Sequence, residues 1–161
     1  MHLRNRIIFL SLSLALLSTA CGGNGQTQEK EEKFTAEQQS DQQAAFQRMM
    51  DVHDVAMEKI IEMNRTARSL KPYLDSLDDK RQFETINLAI TRLETADEAM
   101  MQWMSNSPKL GQLRDTLQHE QIIALLNSEE EKINQIGVEM TSSLENGKAV
   151  LAAIQETQKE D

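Results

Sequence analysis

The residues with the most chemical potential fall into two short runs. In MMDVHDVAM, residues 49–57, His53 stands four residues from both Met49 and Met57, and residues four apart share one face of a helix. In AMMQWM, residues 99–104, Met100, Met101 and Met104 surround Trp103. Six of the nine methionines lie in these two runs, so the thioethers are grouped rather than scattered. Thioether and imidazole donors suit soft monovalent ions, Cu(I) or Ag(I), and an indole can lie over such a cation. On that reading His53, Met57, Met101 and Met104 hold a metal. Two other readings use the same residues. Methionine is an ordinary filler of helical cores, so His53 can be a buried histidine that needs a polar partner, with Asp97 the nearest candidate. Alternatively, Trp103 and its methionines form an exposed patch that docks a partner protein.

Helices must position these residues, because the chain carries apolar patterns of helical period and almost no strand signal. A first helix opens at TAEQ, where Thr35 and Gln38 form a capping-box pattern. Its apolar stripe is Phe46, Met49, His53, Ala56, Ile60, Met63, Ala67 and Leu70, spaced alternately three and four apart as in a heptad. Pro72 ends or kinks it, and DSLDDK supplies turn and cap residues. A second stripe runs through Phe83, Ile86, Ile90, Leu93, Asp97, Met100 and Met104 and stops at SNSPKLG. A third runs from His119 through Ile122, Leu126, Ile133, Ile136 and Met140 to Val150 and Ile154, interrupted at Glu129, Ser143 and Gly147. Short connections force neighbouring helices to run antiparallel. The expectation is an all-α, up-down-up three-helix bundle with coiled-coil-like packing over residues 35–157. Folding the first hairpin at about Ser76 sets residue 53 opposite residue 100 and brings His53 within about one turn of Asp97. The second hairpin brings His119 towards the same level.

Residues 1–20 have the layout of a secretory signal: Arg4 and Arg6, an apolar run from Ile7 to Leu17, then small residues. That run is too short for a permanent membrane span. Cys21 follows at once in LLSTAC, and as the single cysteine it cannot join an internal disulfide. The segment resembles the lipobox of bacterial lipoproteins, although Ser18 stands where leucine is commonest. The resemblance implies that Cys21 receives a diacylglycerol and that the new amino terminus is acylated, for example with palmitate. Ser18 and Ala20 also suit an ordinary signal peptidase, which would leave a free thiol. Either cut exports the chain, and several acyl chains hold a membrane far more firmly than one. Gly22 lacks the aspartate of an inner-membrane retention signal, which points to the outer membrane. Residues 21–34 then read as the lipidated cysteine and a flexible linker, free of apolar residues through GGNGQTQEKEEK.

Removing the signal takes away two cations and no anion, moving the formal net charge from −9 to about −11. Such a surface repels phosphate backbones and argues against nucleic acid. HEQII at His119 lacks the second histidine of a zincin helix, and no Glu-x-x-His pair exists for a di-iron bundle. Phosphate-cradling glycine loops and nucleophile elbows are likewise missing, so no enzyme activity is expected.

MMDVHDVAMEKIIEMNR, LETADEAMMQWMSN and SEEEKINQI together resemble small bacterial lipoproteins commonly labelled viral A-type inclusion proteins. The resemblance covers about residues 49–151 and makes His53, Asp54, Met57, Asp97, Met100, Met101, Trp103 and Met104 motif positions. It implies no particular reaction. The function expected is that of a non-catalytic envelope lipoprotein, held to the membrane by its lipid and acting as a scaffold or interaction module for an envelope protein. The alternative is a binder of Cu(I) or Ag(I). A weaker third possibility is a subunit stabilised by self-association, because the heptad stripes do not set the oligomeric state.

Overall fold

The computed structural model describes residues 33–75 and 79–160, with side chains described to residue 157. The expectations for the signal segment, for Cys21 and for most of the linker lie outside these residues. Within them the protein is all-α, with five helices and no strand: α1 (Ala36–Met57), α2 (Ile60–Leu74), α3 (Lys80–Asn106), α4 (Leu110–Thr116) and α5 (His119–Glu160). No described helix is long and apolar enough to cross a membrane.

The first helix forms where expected. The Thr35 hydroxyl accepts from the Gln38 N–H, and the Gln38 side chain accepts from the Thr35 N–H, completing the capping box. Phe34, assigned to the linker by its sequence, is instead buried in the core. Lys33 is also held, its Nζ donating to the carbonyls of Arg114 and Asp115. Burying a phenylalanine just before the cap fixes the angle at which the chain enters the helix.

The expected first helix is divided into α1 and α2 at Glu58 and Lys59. Both residues keep right-handed helical dihedrals, and the Lys59 N–H donates to Ala56, three residues back, as in a 3₁₀ turn. Pro72 does not end α2 at once; the helix runs two residues further, to Leu74. Asp79 caps α3 by accepting from the Arg81 N–H.

Helix directions follow from the contacts. Along α1 and α2, Gln42 meets His119, Arg48 meets Glu130 and Glu62 meets Lys148, so α5 runs parallel to them. On α3 the order reverses: His53 lies beside Trp103, and Lys71 pairs with Glu94. Helix α3 packs on both α2 and α5. That double contact explains why its buried face is wider than a heptad stripe. Ile86, Ile90, Leu93 and Met100 are buried as the stripe requires, and Ala89, Ala96 and Trp103 form a second buried row beside them. Phe83 and Met104, at the ends of the stripe, are exposed instead.

Each interruption in the third stripe is a contact. A Cβ at Gly147 would lie 2.8 Å from Leu93 Cδ1 and 3.0 Å from Thr66 Cγ2. Ser143 is buried, and Glu129 accepts from the indole of Trp103. Helix α5 is therefore continuous over 42 residues. Helix α4 has no counterpart among the sequence expectations.

The Gly147 approach gives a direct test. Gly147→Ala should lower stability by about 1–3 kcal/mol, because a methyl group there overpacks a well-filled core. Gly111→Ala, with nothing within 4 Å of the added carbon, should be neutral or slightly stabilising, as alanine is the better helix former. Urea midpoints of the two variants would separate these effects, and an unshifted midpoint for Gly147→Ala would contradict the packing described.

Candidate functional site

Three elements meet around His53. The imidazole stands on α1 with its ring centroid 5.5 Å from that of Trp103 on α3, the planes tilted by 36°. The indole Nε1 of Trp103 donates to Glu129 Oε2 on α5 at 2.9 Å. Glu129 is joined from its own helix by Lys132. A charge-assisted hydrogen bond of this kind orients the indole, and Trp103 keeps only 7% of its surface exposed. The exposed docking tryptophan expected from the sequence is therefore not found.

The pairing of His53 with Asp97 is not found either. His53 Nδ1 lies 2.9 Å from Asp54 Oδ1, a neighbour in sequence. Asp97, half-buried at the edge of the α3 face, makes no hydrogen bond or ion pair among the described residues. The cause is register. His53 sits against the ring of Trp103, about one helical turn along α3 from the level expected.

The buried faces of α1 and α3 sort the methionines. Met49 and Met100 are fully buried, and Met50 and Met57 pack partly buried against the core. Met101 is 52% exposed and Met104 37% exposed, so two of the expected metal ligands lie largely at the surface. His119 also stands apart. Its partner is Gln42, eleven residues before His53 and so about 16 Å away along the helix. No three histidine, cysteine, aspartate or glutamate side chains converge into a metal-binding group among the described residues.

A second polar centre, missed by reading apolar stripes, lies at the start of α1. Gln42 is completely buried. Its Oε1 accepts from Arg114 Nε at 2.8 Å, and its Nε2 lies 3.3 Å from His119 Nδ1. Since the amide oxygen is committed to the guanidinium, its nitrogen is the donor to Nδ1, which leaves the His119 proton on Nε2. Arg114 Nη2 also donates to the Gln39 carbonyl. One arginine thereby ties α4 to α1, and the buried glutamine joins both to α5. A glutamine at a buried position between Phe34 and Ala45 is a signal that looks like solvated surface until its partners are known.

A shallow apolar groove runs between α1 and α5, on a side of the molecule that α3 does not cover. It has a volume of about 600 Å³ and is walled by Val52, Val55 and Val138, with Asp51, Lys59 and Glu145 at its margins. Gly137 and Ala56 form its floor. Val55 and Val138 are 59% and 68% exposed.

The two polar centres make contrasting predictions. Asp97→Ala should shift stability by no more than about 0.5 kcal/mol, as for other substitutions at positions without a partner. Gln42→Leu should cost about 1–3 kcal/mol, because it strands the Arg114 and His119 groups that the amide satisfies. A urea midpoint that falls further for Asp97→Ala than for Gln42→Leu would overturn this assignment. No protein-family model, curated protein or solved structure matches this chain.

Proposed function

We propose that the protein is a non-catalytic cell-envelope lipoprotein, anchored through Cys21, whose folded domain is a scaffold that works by self-association. In this reading α1 with α2, α3, and α5 act as the three rods of an up-down-up bundle, with α4 as a clasp. The signal segment exports the chain, Cys21 carries the lipid in the outer membrane, and the glycine-containing stretch after it is the tether.

The observation that carries this reading is the apolar groove between α1 and α5. Isolated exposed valines need no explanation, but valines on two facing helices above a floor of glycine and alanine form a continuous apolar surface. Its margins indicate what fits it. Asp51 and Lys59 stand four residues on either side of Val55, on one face of the chain. A second copy laid antiparallel across the groove, with a two-fold axis at Val55, sets Asp51 of each copy opposite Lys59 of the other. Such self-complementarity is the requirement of an isologous dimer, and the charges fix its direction.

Two experiments test the reading. Cells fed labelled palmitate should label this protein, and Cys21→Ser should remove the label entirely; label retained by the variant would refute the anchor. For the groove, Val55→Cys in the lipidated protein should form a disulfide-linked dimer under mild oxidation, since residues on a two-fold axis face their own copies. Ile61→Cys, more exposed still but away from the groove, should not. Lys59→Asp should weaken the crosslink, and adding Asp51→Lys should restore it. Equal crosslinking at positions 55 and 61, or none at 55, would rule out self-association through this face.

A further inference from the structure

His53 presents an anomaly that packing does not explain. Its Nε2 is buried and has no hydrogen-bond partner, the single buried side-chain nitrogen or oxygen in that condition among the described residues. An orphaned polar atom of this kind costs about 1–3 kcal/mol, and it calls for a ligand, an internal water or an ion. The rest of the ring narrows the choice. The Asp54 carboxylate, 70% exposed at its side chain, lies 2.9 Å from His53 Nδ1 and is placed to accept a proton held there. With the proton on Nδ1, the Nε2 lone pair points inwards. A histidine whose outer nitrogen is tied to a carboxylate while its inner nitrogen carries a free lone pair is arranged as metal-ligating histidines are.

The residues one turn along each helix from this pair are soft. Met57 follows His53 by one turn on α1, and Met100 precedes Trp103 by one turn on α3. Because the two helices run in opposite directions, Met57 and Met100 fall on the same side of the His53–Trp103 pair. Met100 is fully buried and Met57 packs against the core. Trp103 brings an aromatic ring to the imidazole and is held there by Glu129. The two nearby carboxylates are both engaged: Asp54 lies at the surface against Nδ1, and Glu129 accepts from the Trp103 indole and pairs with Lys132. One imidazole nitrogen, two thioethers and an aromatic face disfavour a hard divalent ion and suit a soft monovalent one.

We infer that His53 Nε2, with the Met57 and Met100 thioethers and the ring of Trp103, forms a binding site for Cu(I) or Ag(I) between α1 and α3. Asp54 acts as a positioning residue that holds the imidazole in the ligating tautomer. The site differs from the ligand set suggested by sequence spacing, because the buried Met100 replaces the exposed Met101 and Met104. It is independent of the α1–α5 groove, so a scaffold role and metal binding stand or fall separately.

The test is an anaerobic titration of the full chain in non-ionic detergent, carrying Cys21→Ser to remove the thiol, with Cu(I) supplied from a chromogenic bicinchoninate complex. One equivalent should transfer from the chelator and quench the emission of Trp103. His53→Gln should abolish transfer. Met57→Leu and Met100→Leu should each weaken binding, while Met101→Leu should leave it unchanged; exchanges of Met for Leu are conservative enough to keep the fold, which circular dichroism would verify. Asp54→Asn should weaken binding by about 10- to 100-fold, the usual effect of losing a carboxylate behind a ligating histidine. Nitrogen-15 shifts of His53 should show the Nδ1–H tautomer in the parent and its loss in Asp54→Asn. No transfer from the chelator, full affinity in His53→Gln, or displacement of Cu(I) by equimolar Zn(II) would overturn the proposal, the first leaving an internal water as the partner of Nε2.

Discussion

The approach of Gly147 to Leu93 and Thr66 is the constraint on which the remaining packing depends. Three helices converge there, α5 through a residue without a side chain, α3 through a buried leucine and α2 through a buried threonine. Interiors pack at the density of organic crystals, so the distance between rods at one level limits their distance and rotation elsewhere. With α5 drawn in at Gly147, α3 must present a face wide enough to cover two neighbours. This is why Ala89, Ala96 and Trp103 are buried in addition to the heptad stripe. The small alanines let the helices approach, and the buried indole fills the last turns of the α3 face.

Buried polar groups then specify the register. An apolar interface between rods tolerates a slip of one turn, since apolar residues recur at that spacing. Gln42 bound to Arg114 and His119, and Trp103 bound to Glu129, do not tolerate it, because a slip leaves desolvated donors unpaired. The two centres lie at different levels and bind different pairs of elements. Together they hold α5 against both α1 and α3 in a single alignment. His53 departs from this pattern: its outer nitrogen is satisfied and its inner one is not. Departures from full polar satisfaction are expected where a protein keeps a site for function.

Much of the architecture was legible in the order of residues. The capping box at Thr35, the Asp79 cap and the three long apolar stripes marked the helices, because capping and a 3.6-residue period are local properties of the chain. The candidate site was legible as a neighbourhood. Helical spacing alone joins His53 to Met49 and Met57, and one hairpin brings AMMQWM to the same end of the bundle. What escaped was the part that depends on which helices touch. Glu129 and Gly147 read as blemishes in a stripe, yet one is the acceptor for Trp103 and the other the closest approach of three rods. Gln42 carries no apolar signal and is nonetheless core.

The sequence by itself determined the helical character, the starts of the three long stripes and the concentration of imidazole and thioether groups at one end, since each follows from local backbone preference and side-chain period. Tertiary structure decided the pairings. A shift of about one turn in α3 put Trp103 beside His53, Asp54 took the place expected for Asp97, and Met101 and Met104 lie exposed. The heptad stripe repeats at every turn and carries no mark of its own zero point. The alignment is set by long-range contacts, the Gly147 approach and the buried hydrogen bonds, whose partners lie far apart in the chain.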